Sequence, residues 1–171
     1  HSVVGDNPER LTECLHHALS RSDIVITTGG LGPTQDDLTK QVVAEALGRK
    51  LVLDQRSAEA IKKYFAATGR TMVESNLRQA YFPENSMILD NEEGTAPGCI
   101  IQKDGKIVIL LPGPPKELIP MFDRHILKFF KERSEAPLTS KFLRVVGIGE
   151  SLVEKKLLSL VDGQVNPTIA T

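Results

Sequence analysis

Ile24-Val25-Ile26-Thr27-Thr28-Gly29-Gly30-Leu31-Gly32-Pro33-Thr34-Gln35-Asp36-Asp37-Leu38-Thr39 decides the fold. It reads as a buried strand, then a glycine-rich loop, then an amphipathic helix whose first turn carries Asp36 and Asp37. That order builds a phosphate site. Gly29, Gly30 and Gly32 let the backbone approach a ligand, and the unpaired N–H groups at the start of the next helix point at an anion. Two carboxylates beside a phosphate are compatible only when a divalent cation lies between them. The stretch therefore points to a metal-assisted nucleotide site.

Composition bounds the rest. With 171 residues, 40% of them hydrophobic, the chain can bury one good core and part of a second domain. A net charge of −1 gives no electrostatic reason to expect nucleic acid or an anionic membrane as partner. Cys14 and Cys99 stand in no metal-ligand spacing and no signal peptide precedes them, so both read as core thiols of a reducing cytoplasm. No apolar run approaches the roughly 20 residues of a membrane span.

Working outward, Ser2-Val3-Val4 reads as the end of a strand, and the abrupt start suggests a piece of a longer protein. Asn7 is an N-cap candidate with Pro8 at the first helical position, and Leu11, Cys14, Leu15, Ala18 and Leu19 form one helical face. His16 and His17 flank that stripe without a second metal-ligand type at helical spacing. Downstream, Leu38, Val42, Val43, Ala46 and Leu47 mark a helix ended by Gly48, and Ser57 to Thr68 makes another, ended by Gly69. Asn76 to Phe82 reads as a short helix entering Pro83, and Met87-Ile88-Leu89 as a buried strand. This alternation is an α/β rhythm.

Asn91-Glu92-Glu93-Gly94-Thr95-Ala96-Pro97-Gly98 is a loop, followed by a hairpin of Cys99–Gln102 with Lys106–Leu110 across Asp104-Gly105. The second arm runs into Leu111-Pro112-Gly113-Pro114-Pro115-Lys116-Glu117 and a helix with Leu118, Phe122, Ile126 and Phe129 inward. Ligands in open α/β sheets gather outside the carboxyl ends of strands, which would bring this loop and the glycine loop to one crevice. Ser134 to Leu138 reads as a boundary. Beyond it, 140–171 contains a strand over Lys141–Val146, the turn Gly147-Ile148-Gly149-Glu150-Ser151 and a helix, too little for a core of its own.

Four motifs, Thr27 to Thr39, Asn91-x-x-Gly94-Thr95-Ala96-Pro97-Gly98, Leu111-Pro112-Gly113-Pro114-Pro115-x-Glu117 and Gly147-Ile148-Gly149-Glu150-Ser151, together resemble the amino-terminal half of the competence/damage-inducible CinA family, within the molybdopterin-binding superfamily. The resemblance implies a three-layer α/β/α domain with a mostly parallel sheet and a hairpin over 1–135, lacking the family's first strand and helix, then a truncated KH-like middle domain over 140–171. It further implies hydrolysis of the pyrophosphate of ADP-ribose to AMP and ribose 5-phosphate with a divalent metal (Mg, Mn or Co), in a homo-oligomer. Asp37, with Asp36, would be catalytic and hold the metal. Thr28, Gly29, Gly30, Gly32, Asn91, Gly94, Thr95, Pro112, Gly113, Pro114 and Glu117 would bind the nucleotide.

Plainer readings stand beside these. The glycines would also serve a tight strand-to-helix turn, the aspartates a helix dipole, Pro112 to Pro115 a stiff turn, and Asn91 and Thr95 ordinary turn positions. Two other functions remain open. One is nucleotidyl transfer to molybdopterin, where relatives carry Ser-x-Arg-Asp in place of Thr34-Gln35-Asp36-Asp37. The other is a non-catalytic nucleotide-sensing or partner module. The Gly147-Ile148-Gly149-Glu150 spacing is not the Gly-x-x-Gly of a nucleic-acid-gripping KH loop.

Overall fold

The computed structural model describes residues 1–134 and 139–170. Two compact units divide the chain, His1–Ser134 and Glu135–Thr171.

In the first unit, α1 (Pro8–Arg21) begins where expected, the Asn7 side-chain oxygen accepting the Arg10 N–H at 2.9 Å. Ser2 to Val4 takes no regular structure, and Val3 is 94% exposed, so the strand end read there is absent. β1 (Ile24–Thr28) follows, then a ten-residue loop and α2 (Thr39–Ala46). Two three-residue strands, β2 (Leu51–Leu53) and β3 (Tyr81–Pro83), pair antiparallel and bracket α3 (Gln55–Thr68) and a 3-10 helix (Glu74–Ala80). Gly69 closes α3 in the left-handed conformation, φ 64°.

The main sheet adds β4 (Met87–Leu89), β5 (Gly98–Lys103) and β6 (Lys106–Leu111), in the order β1-β6-β5-β4. β5 and β6 form the expected hairpin, with Asp104 and Gly105 both at positive φ, and β4 pairs antiparallel with β5. β1 lies parallel to β6, Thr28 opposite Leu111, so both strands end at the same edge. The sheet is thus mixed, with one parallel pair joined through helical crossovers. Downstream, α4 (Pro115–Met121) runs through a π turn (Phe122–Ile126) into α5 (Leu127–Lys131).

Alternating side chains divide between two apolar layers. Val108, Leu110, Cys99 and Ile101 meet Leu15 of α1, Val43 of α2 and its C-cap Leu47 on one face. On the other, Ile100, Ile109, Leu111 and Leu89 meet Met121, Ile126 and Phe129. Ile101, Ile109 and Leu110 are wholly buried, each contributing roughly 1.5–3 kcal/mol of apolar burial. This is the three-layer α/β/α arrangement.

In the second unit, α6 (Glu150–Asp162) forms where apolar periodicity placed it and buries none of its residues. Lys141 to Val146 is not a strand: Phe142 is 97% exposed, and with no partner strand among the described residues the segment has no ladder to hold it extended. The polar link read over 134–138 lies, from Glu135 onward, outside the described residues.

Candidate phosphate site

Parallel pairing of β1 and β6 sets the site. Gly29 N–H donates to Leu111 O at 2.9 Å, and a Cβ placed on Gly113 would stand 3.4 Å from Gly29 Cα. The two glycine-bearing loops therefore touch at the carboxyl edge of the sheet, as expected of them. Thr28 ends β1 exposed; Pro112 is buried, while Gly113 and Pro114 are exposed, Pro114 capping α4.

The aspartates depart from expectation. α2 starts only at Thr39, and no acidic residue lies in its first turn. Asp36 and Asp37 belong to the loop, because Asp37 closes a turn on itself: its Oδ2 accepts the Thr34 N–H at 2.8 Å and the Thr34 hydroxyl at 2.6 Å. Partial burial pushes the Asp37 carboxyl pKa up, but the Thr34 bonds, the Gly32 N–H and the Arg78 guanidinium outweigh it, leaving the group below its ordinary value. A Cβ on Gly32 would come 2.5 Å from Asp37 Oδ2, so the carboxylate occupies the space that the missing side chain leaves. Thr39 folds back onto the loop, its N–H donating to Gly30 O at 3.2 Å and its hydroxyl to Gly29 O at 2.9 Å. Asp36 is exposed.

The second loop holds itself to α4. Asn91 Nδ2 donates to Glu117 Oε2 at 2.6 Å and to Ala96 O at 3.0 Å. A Cβ on Gly94 would lie 2.5 Å from Glu117 Cδ, so Glu117 occupies the space that the missing side chain leaves. Asn91, Gly94 and Glu117 thus form one clasp between the second loop and α4. Thr95 is tied elsewhere, its hydroxyl accepting from Gln79 Nε2 at 3.2 Å.

Beside the glycine loop opens a cavity of about 170 Å³, lined by Gly30, Leu31, Gly32, Asp37, Lys40, Gln41, Leu51, Arg78 and Tyr81. Two cations among these escaped the sequence reading. Lys40 is 6% exposed; its Nζ donates to Gln79 O at 2.5 Å and stands 4.1 Å over the Phe82 ring. Burial draws its pKa down from 10.5 to about 8, only partly countered by the Asp37 carboxylate. Cys99 is itself pushed by burial to about 12, so it is neutral when Lys40 titrates. Arg78, on the 3-10 helix, donates to Thr34 O at 3.1 Å. Lys40 shares the helical stripe of Val43, Ala44 and Leu47, and a cation on a buried stripe is a legible signal. Arg78 gave none, since only packing brings the 3-10 helix to the loop. A larger depression of about 490 Å³, over Asn85, Ser86, Met87, Ile100 and Gln102, presents no charged side chain.

Residues 1–132 match the family described as "Probable molybdopterin binding domain". The chain belongs to that molybdopterin-binding family. Within it, a provisionally named competence-damage inducible protein of Acetivibrio thermocellus is 56% identical over 171 residues, 100% of this chain and 41% of that protein. A CinA-like protein of Dictyoglomus turgidum is 54% identical over 170 residues, 99% of this chain and 41% of its own length. The crystal structure of CinA, a protein with unknown function from Thermoplasma acidophilum, shares 35% identity and a TM-score of 0.65 over 72% of each chain. The resemblance carried by the four motifs is borne out. This molybdopterin-binding-type chain spans about two fifths of the length of the curated relatives it matches. No helix among its described residues is long and apolar enough to cross a membrane.

Proposed function

We propose that this site binds a phosphate-bearing nucleotide and hydrolyses the pyrophosphate bond of ADP-ribose, water adding across the bridge to give AMP and ribose 5-phosphate. The observation that carries the reading is Asp37, an ionised carboxylate fixed by Thr34 and Gly32 on the wall of a cavity whose other side is glycine-loop backbone. A resident metal cage does not fit these residues: no group of three or more His, Cys, Asp or Glu among the described residues is placed to hold an ion. A cation of the Mg type does fit, since it takes one or two carboxylates and completes its shell with waters and substrate phosphate oxygens. Asp37, with Asp36, would hold it. When bound it neutralises phosphoryl charge and acidifies a water.

The chain's own residues do the remainder. Loop amides from Gly29 to Gly32 orient a phosphoryl group, Thr34 holds the Asp37 carboxylate in one rotamer, and the Pro112–Pro114 loop walls the same edge of the sheet. Incubation with ADP-ribose and Mg, Mn or Co, followed by chromatography of AMP and ribose 5-phosphate, tests the reading. Absence of turnover with all three metals, in this chain and in one extended at its amino end, refutes it. The family description favours molybdopterin as the second ligand to try, alone and with ATP.

A further inference from the structure

We propose that Lys40 and Arg78 form the anion grip of this pocket, holding one phosphoryl group of the ligand against the backbone of Gly30 to Gly32. The proposal rests on the nucleotide reading above and adds residues that no motif assigned. Lys40 is almost wholly buried, yet among the described residues no carboxylate lies within ion-pair distance of it. An ammonium has three donors; one carbonyl and one ring face engage it from the protein side, leaving a donor over, and Lys40 is a lining residue of the cavity. Buried cations are normally paired, because desolvation of an uncompensated charge is expensive. An anion bound in the cavity supplies the missing partner.

Charge and size agree. Lys40 and Arg78 face a single carboxylate, Asp37, which is already hydrogen-bonded by Thr34, so the cavity carries excess positive charge. A guanidinium and an ammonium on two different elements suit a tetrahedral oxyanion approached from two sides. At about 170 Å³ the cavity falls below the roughly 300 Å³ at which small-molecule pockets begin, so it admits a phosphoryl group and not a whole nucleotide. Leu51 and Tyr81, 37% and 41% exposed, line the same opening and offer apolar surface to the rest of the ligand.

The test is calorimetric titration of the whole chain with ADP-ribose and with inorganic phosphate, in chelator and without metal. The parent should bind, and Lys40→Met and Arg78→Gln should each weaken binding at least tenfold. Asp37→Asn should bind no more weakly than the parent, since it removes the negative charge of the cavity. Arg78 is exposed, so its variant folds regardless of what Lys40→Met does to the core; thermal melts of both identify a folding defect. Binding within twofold of the parent in folded variants overturns the grip. So does binding that vanishes in chelator and returns with Mn. Phosphate affinity that falls in the variants while no metal gives ADP-ribose turnover sinks the hydrolase reading and leaves the grip standing. Turnover with unchanged KM in both variants does the reverse, and a parent that binds neither probe removes both.

Discussion

Replacing Gly30 by alanine tests how the glycine loop is held. Gly30 has φ +68°, a left-handed conformation that disfavours an L side chain by roughly 1–2 kcal/mol. The new Cβ would also drive into the Thr39 hydroxyl and stand 3.2 Å from Thr39 Cβ. That hydroxyl is buried and donates to Gly29 O at 2.9 Å, so displacing it removes a hydrogen bond of about 0.5–1.5 kcal/mol. Together Gly30→Ala should destabilise the fold by about 1.5–3.5 kcal/mol. In a Thr39→Ala background the hydroxyl is gone, and Gly30→Ala should retain only the backbone part, leaving a coupling of about 1 kcal/mol between the two sites. Urea denaturation of the four proteins reads this directly from the midpoints, provided the slopes agree. A loss under about 0.5 kcal/mol for Gly30→Ala, or strict additivity in the cycle, would show that the Thr39 hydroxyl does not hold the loop. Gly30→Val should in addition abolish ADP-ribose binding.

The Asn91 clasp makes a parallel case: Gly94→Ala should cost about 1.5–3 kcal/mol by displacing the charged Glu117 acceptor, and almost nothing once Glu117→Ala has emptied that space, again by urea midpoints. Lys40 gives a pH signature. Its folded pKa of about 8 lies below 10.5, so between those values the unfolded chain binds more protons and stability should rise with pH, by up to about 3 kcal/mol; Lys40→Met should flatten the rise between pH 8 and 10.5. Asp37 has the opposite sense: its lowered pKa contributes stability present above pH 3.8 and lost as pH falls through the folded value, and Asp37→Asn should show less acid loss in melts at pH 2 to 5. With metal and ADP-ribose, Asp37→Asn should lose on the order of 100-fold in turnover, measured by AMP release.

Local signals carried much of the fold. Asn7 and Pro8 start α1, Gly69 ends α3, and Asp104-Gly105 turns the β5–β6 hairpin, because caps and positive-φ turns depend on a few consecutive residues. β2 and β3 were not legible: three residues each leave no alternation to read, and their pairing exists only because α3 and the 3-10 helix return the chain. The strand read at Lys141–Val146 failed for the complementary reason, since β-branched and aromatic composition does not supply a partner.

That strand, glycine loop and helix follow one another at Ile24 to Ala46, and that a second rigid loop follows Leu111, was legible from the residues alone, since the first depends on the backbone freedom of Gly and the second on the locked φ of Pro. The contents of the site came from packing. It set β1 beside β6, bringing Gly29 against Gly113, and it moved Asp37 out of the helix by giving its carboxylate to Thr34. It also placed Lys40 under Gln79, 39 residues away, and Arg78 on Thr34, 44 residues away. Contacts at such separations have no local code: burial of the sheet faces pays for the loop closure, and the cations follow the elements that carry them.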